Sequence, residues 1–152
     1  MLKIKDCIFE ENFSTRDTSF MCFENDGELS WSIDCLFEEG EFDDETIMPS
    51  ICINPIEAEV TSVGELVGIT FSVDSLEDSD EREDSFSIYD AFPMPEYTIE
   101  ILEITDDKVH VSCKGKLIVD EDEEEDFITE DFEMDSWLPL ILSVNDWGKF
   151  GL

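Results

Sequence analysis

The sequence predicts a mainly β domain: an antiparallel sandwich or barrel of about eight or nine short strands with one short C-terminal helix, an α+β arrangement being the alternative. Three observations carry this expectation. Apolar residues alternate with polar ones over several short runs. Asn, Asp and Gly stand between those runs as turn signals. The 152 residues include 12 Phe and 3 Trp, enough to fill a core from the inner face of a sheet. No linker or repeat divides residues 1–152, which read as a single domain.

Residues 2–10 read as a first strand. Ser19 to Phe23 and Leu29 to Phe37 form the next two, and in the second of these Leu29, Trp31, Ile33, Cys35 and Phe37 alternate with Ser30, Ser32 and Asp34. Asn25-Asp26-Gly27 joins them as a β-hairpin, with glycine supplying the positive φ. Residues 42–57 give no clear period and leave the α+β alternative open. Val67, Ile69, Phe71 and Val73 alternate again, and Phe86 to Tyr89 begins a shorter run. Between them Asp74 to Ser85 carries seven acidic residues and one arginine, which predicts a mobile loop held open by like-charge repulsion. Pro93 and Pro95 then stop any ladder over 90–95.

Tyr97–Thr105 and Lys108–Val119 make a second, longer hairpin around Asp106-Asp107. On the first arm the apolar phase slips, since Tyr97, Ile99 and Ile101 are odd while Leu102 and Ile104 are even. A β-bulge at Ile101–Leu102 restores the match and sets Glu100 opposite Lys114. Asp120 to Asp126 is an unbroken acidic run expected as a solvated turn, and Ile128, Phe132 and Met134 suggest a weaker strand. After Asp135-Ser136 as a cap, Trp137, Leu140, Ile141 and Val144 have the spacing of a short helix, with Pro139 in its first turn.

Charge is the dominant functional signal. Against 8 Lys and Arg stand 42 Asp and Glu, a net charge of -34. Spread over the roughly 7,900 Å² expected for a globule of this mass, that is about one negative charge per 230 Å². Duplex DNA, taken as a rod of roughly 10 Å radius, carries about one per 110 Å². A surface within a factor of two of nucleic acid repels nucleic acid and anionic membranes and attracts basic proteins, in a manner that salt weakens. Adaptation of a whole proteome to salt fits poorly, because Ala58 and Ala91 are the only alanines beside many Ile, Leu and Phe.

Catalysis has little to work with. His110 is the only histidine, and it falls on the phase opposite Val109 and Val111, so it points outward between Lys108 and Ser112. No GxSxG, GxGxxG or GxxxxGK[ST] pattern is present. Carboxylate pairs are too numerous to single out an acid and base, so a small hydrolase would need a pocket holding a carboxyl of raised pKa. Asp78-x-Asp80-x-Arg82-x-Asp84 has the alternation of a calcium loop, but Arg82 stands at its fifth position, Glu83 replaces the turn glycine and Tyr89 the last ligand. The five cysteines lack CxxC spacing, and Cys35 and Cys113 fall on apolar phases. They read as buried thiols in a reducing compartment. No catalytic, cofactor or metal site is expected, no stretch is long and apolar enough to span a membrane, and the chain reads as soluble and cytoplasmic.

What remains is binding. Lys108, Lys114 and Lys116 share the outward face of one strand with His110, where the sheet's own carboxylates neutralise them and leave the other faces acidic. In size and charge the chain resembles immunity proteins of bacterial nuclease toxins and DNA-mimic proteins, a likeness of composition carried by no motif. It implies an inhibitor of a basic protein such as a nuclease toxin. The expected contact residues are Asp78, Asp80, Glu81, Glu83 and Asp84 in one segment and Asp120, Glu121, Asp122, Glu123, Glu124, Glu125 and Asp126 in the other, with Trp147 or Phe150 as aromatic anchors. The alternative is a self-associating structural module whose acidity serves solubility. The chain is expected as a monomer or homodimer.

Overall fold

The computed structural model describes residues 1–88, 90–121 and 127–152. Among these, thirteen strands run in the order β1 (Leu2–Ile4), β2 (Cys7–Phe9), β3 (Ser19–Asn25), β4 (Glu28–Leu36), β5 (Gly40–Phe42), β6 (Glu45–Ile47), β7 (Ser50–Ala58), β8 (Thr70–Val73), β9 (Ser85–Ser87), β10 (Ala91–Pro93), β11 (Glu96–Ile104), β12 (Lys108–Glu121) and β13 (Phe127–Ile141). One α-helix, α1 (Leu76–Arg82), and two 3-10 segments, Val63–Leu66 and Val144–Phe150, complete the described elements.

Mainly β is therefore the class, with more strands than expected and a different closure. Nine strands follow one another in the order β10-β9-β7-β4-β3-β13-β12-β11-β8, β1 adds to β13, and β2 adds to β1. The path has two ends, so the sheet is not a closed barrel. The sheet is also mixed rather than purely antiparallel, because Leu140 and Ile141 of β13 pair in parallel with Phe20 and Met21 of β3. β13 thus belongs to two limbs. Its first part pairs with β12 and β1, and its last two residues join the β4 limb. Pro139 marks the transfer: it lacks an N–H, it is the last residue opposite β12, and Leu140 N–H then bonds Asp107 O at 2.9 Å.

The alternation read from the sequence sets which faces turn inward. Leu29, Trp31, Ile33 and Cys35 of β4 are buried with Phe20 of β3, whose ring stacks on Trp31 at 5.4 Å between centroids. From the β12 limb, Ile99, Ile101, Val109, Val111, Phe132 and Met134 enter the same apolar cluster, so one core serves both limbs. The first hairpin closes on Asp26 and Gly27, both at positive φ, with Asn25 opposite Glu28. The expected bulge on β11 is present, the register shifting between Ile101 and Glu103.

Several elements differ from expectation, each for a local reason. Residues 2–10 form two strands, because Lys5 at φ 53° turns the chain back on itself. Only Thr70–Val73 of the 67–73 run is strand; a 3-10 turn precedes it and leaves Val67 exposed. Residues 42–57 are β5, β6 and β7. Residues 91–93 pair with β9 despite Pro93, which an edge strand tolerates. The expected C-terminal helix over 137–144 is strand as far as Ile141. Helical structure begins only at Val144, capped by Ser143 and Asp146. Glu100 stands opposite Ser112, not Lys114, whose partners in register are Thr98 and Glu133.

Candidate functional site

The acidic segment expected as a mobile loop is α1. Ser75 caps it, its side chain accepting from Asp78 N–H at 3.2 Å, with Glu77 and Asp78 in the first turn and Arg82 in the last, the charge order that the helix dipole favours. Glu83 ends the helix at φ 60°. Burial adds to this local preference: Ser79 faces inward and its Oγ accepts from Met94 N–H at 3.0 Å. Glu77, Asp78, Asp80, Glu81 and Glu83 all remain exposed.

Asp84 does not, and this corrects its place among the contact residues. Its side chain is 0% exposed. The carboxylate accepts from Arg82 Nε at 2.8 Å, from Asn54 N–H of β7 at 2.8 Å and from the Tyr97 hydroxyl of β11. Arg82 in turn donates to Asn54 O at 2.7 Å and lies 4.8 Å over the Phe71 ring. Burial, followed by the neighbouring Asp84 carboxylate, pushes the Tyr97 hydroxyl well above its usual pKa. Asp84 thus fixes α1 to both limbs and is sealed from any partner. In the calcium-loop pattern Asp78, Asp80 and Arg82 are helical, Arg82 and Asp84 hold each other, and Tyr89 lies outside the described residues. Among the described residues no group of three His, Cys, Asp or Glu side chains is placed to hold a metal.

The second segment is placed in part. Asp120 and Glu121 are exposed at the end of β12, opposite Ile128 and Phe127. Asp122, Glu123, Glu124, Glu125 and Asp126 lie outside the described residues. α1 and β12 both contact β10. The Phe127 ring packs edge-on against Phe92 of β10, centroids 6.0 Å apart, while Met94 just beyond β10 is bonded to Ser79 of α1. Nearby, a cavity of about 450 Å³ takes Asp43, Glu45, Asp120 and Glu130 into its wall together with Lys5. Lys5 Nζ lies 3.1 Å from Glu130 and 3.5 Å from Asp43, and the bond to Glu130 leads in raising its pKa.

The cations explain where unbalanced charge lies. Between Arg16 and Arg82 the chain has no lysine, arginine or histidine and nineteen Asp and Glu, a signal legible in the sequence alone. Five of the other cations fall on the β12 limb or its turns. Lys116 pairs with Asp131 at 3.1 Å, and Lys3 and Lys114 stand on either side of Glu133 in register. His110 faces outward as expected but is sheltered, stacked on Trp137 at 4.6 Å with Nε2 2.7 Å from Asp135. Arg82 is held by Asp84 and Lys149 by Asp146, and Arg16 lies 5.7 Å over Trp147 and donates to the Leu152 carbonyl.

Trp147 is buried and Phe150 half-buried, so the C-terminal aromatics pack the tail and do not form free anchors. Among the described residues the exposed aromatics are elsewhere: Phe13, Phe23 and Phe127. Phe23 lies on the outward phase of β3, and Phe127 is the residue that ends the acidic run. Both positions follow from period and neighbourhood.

A second cavity, about 280 Å³, contains Asp17, Asp34 and Cys52. Burial raises the Asp34 carboxyl, with the Cys52 hydrogen bond opposing and Asp17 adding to the rise. Burial also pushes the Cys52 thiol up to about 12, so it is protonated at neutral pH and no thiolate nucleophile stands beside the acid. Cys22, Cys35 and Cys113 are buried and all five thiols are free. No helix among the described residues is long and apolar enough to cross a membrane.

These features define an acidic protein with an open, mainly β sheet, most of whose lysines lie on one limb. Compared with known protein families, curated proteins and solved structures, the chain matches none.

Proposed function

We propose that this is an acidic binding protein, an inhibitor or immunity protein or nucleic-acid mimic that blocks a basic partner such as a nuclease toxin. One observation carries the reading. α1, which carries the exposed carboxylates of Glu77, Asp78, Asp80 and Glu81, is bonded through Ser79 to Met94 just beyond β10, while Phe92 of β10 packs on Phe127, the residue opposite Glu121; Arg82, the cation of α1, is held by Asp84. Carboxylates around a partly exposed aromatic pair match what a tight interface needs, an apolar anchor to be desolvated and a rim of charge that steers the partner in. The five free thiols support a reducing, cytoplasmic setting. The shared core of the two limbs supports a sandwich-like arrangement of one continuous sheet.

The test is inhibition of basic nuclease domains. A panel of them is assayed on nucleic acid with and without the protein. Inhibition of at least one is expected at 50 mM salt, and it is expected to weaken about tenfold or more at 300 mM. A quadruple variant with Asp78→Asn, Asp80→Asn, Glu81→Gln and Glu83→Gln should lose about as much. Failure to inhibit any member at low salt overturns the reading.

The open ends of the sheet at β8 and β10 favour a second reading, a module that associates with itself edge to edge. A stable dimer by native mass measurement, indifferent to salt, would support it over the first.

A further inference from the structure

We propose that the free edge of β8 and the acidic side of α1 form a slot that receives an extended basic segment of the partner as an added strand. This rests on the acidic-binder reading and states where and how the partner is held. β8 ends the sheet, and among the described residues no strand pairs with its outer side. Its register against β11 sets Phe71 opposite Ile99 and Val73 opposite Tyr97, and the bond from Ile101 N–H to Ile69 O at 3.0 Å fixes the phase. Phe71 and Val73 therefore turn their backbone groups toward β11. Thr70 and Ser72 turn theirs away, into the position where a new strand would pair.

Beside that edge lies a groove of about 430 Å³ lined by Phe71, Ser72 and Val73 of β8 and by Asp78, Glu81 and Arg82 of α1. Arg82 is neutralised by Asp84 and lies over Phe71, so Asp78 and Glu81 set the sign of the groove. An extended chain presents side chains alternately to two faces. The set turned toward α1, if lysine or arginine, would lay its methylene stem on the Phe71 floor and reach the two carboxylates, while the other set would turn to the opposite face beside Ser72 and Thr98. A second copy of this chain fits less well, since it would bring another α1 with its own carboxylates against these. The opposite end of the sheet is also less suited, because β10 carries Pro93, which has no N–H to offer.

The experiment uses the full chain and a nine-residue peptide of alternating lysine and valine. Amide hydrogen exchange is followed by NMR at 50 mM salt, with and without saturating peptide. Exchange at Thr70 and Ser72 is expected to slow about tenfold or more, and Ser72→Pro, which removes an N–H outside the β11 ladder, is expected to weaken binding about tenfold. If that variant does not fold, the exchange measurement on the unaltered chain still decides. Salt-sensitive binding with unchanged exchange at Thr70 and Ser72 overturns the slot and leaves the acidic-binder reading standing. Absence of peptide binding overturns the slot, and only the added failure of nuclease inhibition overturns both. Protection of Thr70 and Ser72 without peptide, rising with protein concentration, assigns the edge to a second copy and also overturns the proposal.

Discussion

Tyr97 donates its hydroxyl to the Asp84 carboxylate, which ties β11 to the segment that follows α1 and, through Asn54, to β7. Removing the carboxylate with Asp84→Ala leaves the Tyr97 hydroxyl, the Asn54 N–H and Arg82 Nε without their acceptor, and Arg82 keeps only its bond to Asn54 O. A loss of about 3 kcal/mol or more is expected by urea unfolding, the low end of the range for a broken buried pair because Arg82 keeps some contact with water. Tyr97→Phe should cost about 1–2 kcal/mol. An Asp84→Ala protein of unchanged stability that had lost partner binding would return Asp84 to the contact surface.

Gly115 lies under the β11 backbone. A methyl group there would stand 2.1 Å from Glu96 O and 2.7 Å from Tyr97 Cα, both rigid parts of the paired strand. Gly115→Ala should therefore destabilise the fold by about 3 kcal/mol or shift the β11–β12 register. A melting temperature within about 2 °C of the parent would contradict this packing.

Asp34 supplies a pH signature. Burial raises its carboxyl in the folded state, so folding favours the protonated form. Below the unfolded value, about 3.9, the residue is protonated in both states and carries no penalty; the penalty grows as pH rises through the folded value. Asp34→Asn removes that ionisation. The variant should be more stable than the parent at pH 7, with the difference fading below about pH 4, as followed by thermal unfolding across that range. An equal difference at pH 3 and pH 7 would show that the carboxyl is not perturbed in this way.

Charge reversal should discriminate between limbs. Asp78→Lys with Glu81→Lys is expected to weaken capture of a basic nuclease domain by about tenfold or more, while Lys114→Ala, on the limb that holds most of the cations, should change it less than twofold. Titration calorimetry at fixed salt reads both. Equal effects would mean that net charge, and not placement, governs association.

Much of the architecture was legible because it is written in local period. The β3–β4 hairpin, the β11–β12 hairpin and the bulge between Ile101 and Glu103 follow from alternation, turn residues and a slip of phase. The C-terminus was not, because β13 passes between limbs and buries Leu138, Pro139, Leu140 and Ile141 in succession, erasing the alternation and leaving a false helical spacing. α1 was obscured by its charge: repulsion among its carboxylates suggests a loop, yet the Ser75 cap, the order of charges along the helix and the buried Ser79 outweigh it. Asp84 was unreadable as a buried residue because its partners, Asn54 and Tyr97, come from distant strands. The cation-free stretch from Arg16 to Arg82, by contrast, needs no structure to be seen.

The most direct test of the central claim is the affinity of the protein for a basic nuclease domain that it inhibits, measured from 50 to 300 mM salt for the parent and for the variant with Asp78, Asp80, Glu81 and Glu83 neutralised. A steep fall in parent affinity with salt, flattened in the variant, is the expected result. Affinity that is independent of salt, or a salt dependence the four substitutions leave unchanged, would contradict it.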